Sequence, residues 1–401
     1  MNGIDVPADE VIERLRTVVD RSLAAYLADL ERLVSLDCGS YNKAGVDEVG
    51  RWVAGQLREL GARVTVEAND TLGNTVVGVL EGSGSRCVVL IGHLDTVFPD
   101  GTVAERPFRI EDGRAYGPGV DDMKGGLLGG LYALRALREL GGADSAPRGW
   151  LPYRRLVFIA NPDEEIGSPS STPVIRREAE GADLALVLES ARENGDVVSA
   201  RKGIADFTIR LTGRAAHAGV EPEKGRSAVV EAAHKTLALA ELNGRWPNVT
   251  VNVGVVRGGT RANVVAEKCE MEVDLRAVTR ADMEEAEAAV RAICEQGSVS
   301  DVSCSVQRRN YWLPMEKTPA TAALADLAIE LAARIGFPLR DAATGGASDA
   351  NTTSAMGVPT LDGLGPVGGA DHAPGEYVEI DSIVPRTTLV AALLLTAAEG
   401  Y

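Results

Sequence analysis

The 401-residue chain reads as an α/β protein: a central mixed sheet flanked by helices, with a smaller α+β domain inserted into it. Three observations predict this. Short, almost wholly apolar runs such as Cys87-Val88-Val89-Leu90-Ile91 have the character of strands buried on both faces. Segments with helical spacing alternate with them, the pattern of a sheet covered on both sides. Just past residue 203 the apolar runs give way to alternation at every second residue, as expected of strands with one wet face.

In chain order, residues 8–37 carry apolar positions at helical spacing, and residues 47–60 do so again before Gly61 closes that helix. Strands are expected at 63–66, 75–80 and 87–91. A glycine-rich segment then leads into a helix over 125–140, followed by strands at 156–160 and 184–188. The next part reads strand 205–211, helix 228–242, strands 249–256 and 268–275, and helix 282–296. That order resembles a small sheet with helices on one face, the split βαβ (ferredoxin-like) arrangement. A helix over 320–335, a strand at 360–362 and an apolar helix over 388–398 restore the first pattern. The expected organisation is one domain in two parts, 1–202 and 312–401, around an insertion over 203–311. The length fits this, since it exceeds one compact core of ordinary size.

Composition narrows the function classes. Apolar residues at 45% and charged residues at 25% are the balance of a globular chain. A net charge of −17 repels nucleic acid and anionic membrane surfaces, so neither is an expected partner. Residues 1–10 are acidic with no apolar stretch, and no run approaches a membrane-spanning length, so a cytoplasmic protein is expected. The five cysteines are scattered and form no C-x-x-C pair, which argues against a disulfide framework or a thiolate metal site. Any metal must then be held by His, Asp and Glu.

Five segments carry those residue types at strand ends, where open α/β sheets place their ligands. His93 and Asp95 follow the buried run at 87–91 and point to the same side of an extended segment. One can bind metal while the other holds the second ring nitrogen, or the pair can simply cap the strand. Gly117-Pro118-Gly119-Val120-Asp121-Asp122-Met123-Lys124-Gly125-Gly126 lacks the spacing of a phosphate loop, and its paired aspartates would repel phosphate. Asp163-Glu164-Glu165 follows another apolar run, where three carboxylates are costly unless solvated, hydrogen-bonded or holding a cation. Glu189 ends a fourth run, and His372 lies in a Gly- and Pro-rich loop. Singly each has an ordinary structural reading. Together they suit a water-bearing catalytic zinc site.

These segments, with Gly213-Arg214-Ala215-Ala216-His217-Ala218-Gly219 and Gly346-Ala347-Ser348-Asp349, resemble the aminoacylase and carboxypeptidase family of zinc peptidases in order and along nearly the whole chain. The Gly-Pro-Gly variant, Pro107-Phe108-Arg109 and the length are most similar to its bacterial glutamate carboxypeptidase branch. The resemblance implies two zinc ions per chain, with cobalt or manganese as substitutes. It places His93, Asp122 and Glu189 on one and Asp122, Glu165 and His372 on the other, with Asp122 bridging, Asp95 orienting His93 and a cis peptide after Asp122. Glu164 is then the general base. In the family the position of Glu189 is Glu in carboxypeptidases and deacylases, and Asp in the aminopeptidase branch. The inserted domain becomes a dimerisation and lid domain whose His217 reaches the partner's active site, while Asn263 and Arg276 serve the substrate, the arginine by gripping a free carboxylate. Arg276 has an ordinary alternative in a strand-end pair with Asp274 or Glu272. Gln307-Arg308-Arg309-Asn310 is a further candidate cation site and departs from the branch pattern. The implied activity is hydrolysis of the amide bond to a C-terminal amino acid in a small peptide or N-acyl amino acid, by a homodimer. An N-acyl-amino-acid deacylase or dipeptidase is the alternative on the same site, and a non-catalytic binding protein is the rival from another class.

Overall fold

The structure is a computed structural model and describes residues 7–141 and 151–397, so part of the acidic N-terminal stretch and the last residue of the predicted C-terminal helix lie outside it. The chain divides into two compact units, one built from Met1–Ser199, Lys317–Ala343 and Ser348–Tyr401, the other from Ala200–Glu316 and Thr344–Ala347.

The first unit is an α/β fold on a six-stranded mixed sheet. Its strands run in the order Arg63–Glu67, Thr75–Glu81, Arg155–Asn161, Cys87–His93, Leu184–Val187 and Thr360–Leu361. Thr75–Glu81 is antiparallel to both neighbours, and the last four strands are mutually parallel. Every residue of Cys87–His93 is buried, so both faces of the sheet are covered there, as its apolar run predicts. That strand runs two residues further than expected and ends on His93 itself. Helices Asp9–Arg21, Gly126–Leu140, Pro319–Ile335 and Ile380–Ala397 pack on one another, and Thr172–Ala179 packs against Asp349–Ala355.

Local chemistry explains the departures from the sequence reading. The helix predicted from residue 47 starts a turn earlier, over Lys43–Glu59, because Asn42 caps it by accepting from Gly45 N at 3.0 Å. A small antiparallel sheet of Arg109–Glu111, Arg114–Tyr116, Gly368–Gly369 and Tyr377–Glu379 was not foreseen, since strands of two or three residues carry no readable period.

The second unit is a four-stranded antiparallel sheet in the order Thr250–Gly258, Lys268–Ala277, Gly203–Thr212, Ser303–Trp312, with helices Ala228–Ala240 and Arg280–Glu295. Ala205, Phe207, Ile209 and Leu211 of one strand meet Met271, Val273 and Leu275 of the next in its core, while most of the alternate residues, Thr208 excepted, are partly or fully exposed. The strand Ser303–Trp312 completes the βαββαβ order and was missing from the sequence reading. It is an edge strand in which only Cys304, Val306 and Tyr311 pack onto the core.

Candidate active site

The chemistry-bearing residues of the first unit converge at the ends of its parallel strands. His93 ends one strand, Glu189 follows Leu184–Val187, and Glu164 and Glu165 lie in a tight turn just after Arg155–Asn161. Asp122 sits in a kinked turn ahead of Gly126–Leu140 with helix-incompatible angles (φ −105°, ψ 93°), and the Asp122–Met123 peptide is cis, as expected. Residue 126, at the start of that helix, is glycine. A Cβ there would lie 1.7 Å from the carbonyl oxygen of Leu188, so only glycine lets the helix end approach the strand that leads to Glu189.

Asp122 lies between the two histidines. Its Oδ1 is 3.0 Å from His93 Nε2 and its Oδ2 is 3.0 Å from His372 Nε2. Glu189 Oε2 lies 3.8 Å from His93 Nε2, and Glu165 Oε2 lies 3.2 Å from His372 Nε2. Glu164 belongs to the same cluster, its carboxylate within 4.8 Å of the ligand atoms of His93 and Glu189. His93, Asp122, Glu165, Glu189, His372 and Glu164 are thus brought together. Asp95 joins them from behind. His93 Nδ1 lies 3.0 Å from the Asp95 carbonyl oxygen and 3.4 Å from its carboxylate. That carboxylate accepts from Glu164 N at 3.2 Å, Glu165 N at 3.3 Å and Ser40 Oγ at 2.7 Å. Asp95 therefore fixes the Glu164–Glu165 turn relative to His93, which the sequence did not disclose.

The electrostatics are those of a site short of positive charge. Burial disfavours a protonated His93, yet Glu189, Asp122 and Asp95 outweigh it and hold the imidazole well above its ordinary range. Hydrogen bonds to Asp122 and Glu165 lift His372 to about 10. Burial, then the Glu189 charge, pushes Glu164 well up, and burial likewise raises Glu165. Glu165 Oε1 is buried with no hydrogen-bond partner. Two imidazoles and four carboxylates converge, and among the described residues no donor satisfies that oxygen, so the set fits cations placed between its members.

Sequence reasoning missed Glu376. Its buried carboxylate accepts from Gly119 N at 2.9 Å, Asp121 N at 2.9 Å and Asp122 N at 3.0 Å, clasping the turn that presents Asp122. Its place four residues after His372 was the only available signal. Burial first, with backbone donors opposing, raises it to about 7. A cavity of about 490 Å³ opens beside Glu165, lined in part by Tyr41, Phe98 and Ile166.

The remaining predicted residues belong to the second unit. His217 and Asn263 are exposed and lie on adjacent loops, Ala218 N donating to the Asn263 carbonyl at 3.0 Å. Arg276 Nε donates to Asp274 Oδ1 at 3.1 Å, the strand-end pair foreseen as its alternative, and Nη1 donates to the Gly345 carbonyl at 2.8 Å. The candidate cations Arg308 and Arg309 pair with Glu287 at 2.9 Å and Glu272 at 3.4 Å. His234 is exposed.

This convergence has counterparts in known proteins. Residues 89–396 match the profile of peptidase family M20/M25/M40. The chain belongs to that family. It is therefore a metal-dependent hydrolase of the peptidase class, and the fold expected from its motifs is the family's. Among M20 relatives, carboxypeptidase G2 of Pseudomonas sp. (strain RS-16) is 30% identical over 381 residues, covering 94% of this chain and 90% of the relative. Acetylornithine deacetylase of Edwardsiella ictaluri (strain 93-146) is 26% identical, covering 94% of this chain and 98% of the relative. An aminopeptidase structure from Bacillus cereus ATCC 10987 superposes with a TM-score of 0.77 at 24% identity, covering 94% of this chain and 99% of that one. At that identity it speaks for the M20 fold alone. Among the described residues no helix is long and apolar enough to cross a membrane.

Proposed function

We propose that this M20 protein is a zinc-dependent exopeptidase that cleaves the amide bond to a C-terminal amino acid, in the manner of a glutamate carboxypeptidase. The observation that carries the reading is Asp122, with one carboxylate oxygen toward His93 and the other toward His372. His93 and Glu189 would hold one zinc, His372 and Glu165 the other, and Asp122 both. Bound zinc supplies Lewis-acid polarisation of the scissile carbonyl and acidifies a water.

The chain's own groups do the rest. Glu164 takes the proton of the attacking water and passes it to the leaving amine. Its buried setting, beside Glu189, raises its affinity for that proton. Glu165 is not the base, because a carboxylate engaged with metal is a poor proton acceptor. Asp95 holds His93 and the Glu164 turn in register, so base and ligand keep a fixed relation. Asn263 and Arg276 serve the substrate, and Asp274 keeps the Arg276 guanidinium oriented toward a carboxylate. His217 of a partner subunit supplies a donor to the developing oxyanion, a role worth about 3 kcal/mol.

A homodimer through the second unit is part of this reading. Helix Ala228–Ala240 exposes Val229, Val230 and Leu237, the last at 67%, and Val256 is exposed on the edge strand Thr250–Gly258 that this helix packs against. Leu237→Glu is expected to convert a dimer to a monomer in analytical ultracentrifugation. An unchanged sedimentation coefficient would rule out a dimer through this face.

Carboxypeptidase G2 as a relative along nearly the whole chain favours the carboxypeptidase reading. The acetylornithine deacetylases among the relatives favour a second one, removal of an acyl group from a free amino acid. A panel of N-acyl amino acids and dipeptides, assayed by release of free amino acid, separates them. In either case Glu164→Ala is expected to keep its metal and lose about 10³-fold in turnover. A metal-loaded Glu164→Ala enzyme that still turns over would sink the assignment.

A further inference from the structure

The motif Gly346-Ala347-Ser348-Asp349 has no part in the reaction as described so far, yet its aspartate lies directly behind the turn that carries Glu164. We infer that Asp349 is a positioning residue for Glu164, gripping that turn from both flanks. The inference rests on Glu164 being the general base.

The grip is bilateral. Asn161 closes the strand before the turn, and its Nδ2 donates to Asp349 Oδ2. Ser168 follows the turn, and its Oγ donates to Asp349 Oδ1 at 2.6 Å. Asn161 and Ser168 are fully buried and Asp349 is 1% exposed, so no water competes for these bonds. Between them the chain folds sharply: Gly167 has φ 91° and Ser168, a non-glycine residue, φ 52°. Asp95 holds the middle of this turn at Glu164 N and Glu165 N. The Asp349 carboxylate accepts from both of its ends, one oxygen each, and fixes what Asp95 does not reach.

Asp349 is itself held by its surroundings. It opens helix Asp349–Ala355, where Ser348 Oγ accepts from Ala350 N at 3.1 Å and Asn351 Oδ1 accepts from Ser348 N at 3.0 Å. Ser348 Oγ also donates to Asp362 Oδ2 at 2.6 Å, beside the strand Thr360–Leu361. The turn bearing Glu164 is thus referenced to a different part of the sheet through side chains alone. A buried carboxylate is a costly acceptor if stability were its only purpose, whereas a base must be held to within a fraction of an ångström.

The test is steady-state kinetics with metal analysis on the full-length enzyme. Asp349→Ala is expected to lower kcat about 100-fold, with KM within twofold of wild type and metal per chain unchanged. Asp349→Asn is expected to recover most of kcat, since its amide oxygen can accept from Asn161 while its NH2 donates to Ser168 Oγ. In a Glu164→Ala background the Asp349→Ala substitution should cost nothing more. If Asp349→Ala does not fold, Ser168→Ala removes one arm of the grip and should lower kcat about tenfold at unchanged KM. Loss of metal, a rise in KM at constant kcat, an unchanged kcat in Ser168→Ala, or a loss that multiplies with Glu164→Ala would each overturn the inference. An inactive Glu164→Ala whose loss multiplies with Asp349→Ala overturns the positioning role alone. A Glu164→Ala enzyme with wild-type turnover overturns the base assignment and the positioning role together.

Discussion

In the second unit Glu231 is buried with Oε1 2.9 Å from Lys235 Nζ, and its Oε2 accepts from Ser298 N and Val299 N at 2.9 and 2.6 Å. In the first unit the Glu165 side chain is nearly as buried; among the described residues its carboxylate is paired with His372, and its Oε1 has no donor. Burial raises the proton affinity of both carboxylates, but Lys235 and the two backbone donors bring Glu231 below the ordinary range, while Glu165 stays above it. Lys235 is equally satisfied, donating to the Ile293 carbonyl at 2.7 Å and to that of Gln296. A buried charge whose partners are all present is scaffold. One whose partners are missing marks a place where something else is meant to bind.

Substitutions at the two glutamates can break this contrast. Glu231→Gln should destabilise the protein by about 3 kcal/mol in urea unfolding, because it leaves Lys235 buried beside a neutral group. The effect depends on pH with a definite sign. The folded-state pKa of Glu231 lies below the unfolded value of about 4.3, so its stabilisation is complete above that value and is lost as pH falls through the folded one. The gap between wild type and Glu231→Gln should therefore be full at pH 7 and narrow as pH falls below 4; a gap that widens in acid would contradict the assignment. Glu165→Gln should behave in the opposite way. In metal-free protein its stability should lie within about 1 kcal/mol of wild type or above it, since an unsatisfied carboxylate is removed, while metal retention falls. A Glu165→Gln protein as destabilised as Glu231→Gln would erase the distinction.

The same contrast governs what the sequence disclosed. His93, Glu165 and Glu189 were legible because each is a polar residue following an apolar run, and such a junction needs a reason. Glu376 and Asp349 were opaque as parts of the site because their partners lie far away in the chain: Glu376 clasps residues more than 250 positions earlier, and Asp349 reaches back 188 positions to Asn161. No local period encodes such a pairing. The fold shows the same limit. Cys87–His93 announced itself by unbroken apolarity, whereas Ser303–Trp312, an edge strand with polar residues at most positions, carried too little alternation to be seen. Arg276 was read two ways, and the pair with Asp274 that one of them foresaw is present.

The two-metal reading turns on Asp122, whose carboxylate oxygens face His93 and His372. Elemental analysis of purified wild-type protein and of Asp122→Ala, both dialysed against metal-free buffer after loading with zinc, tests it most directly. About two zinc ions per chain are expected in the wild type, with both lost, and hydrolysis with them, in Asp122→Ala. One zinc per chain in the wild type, or an Asp122→Ala protein that keeps its metal, would contradict it.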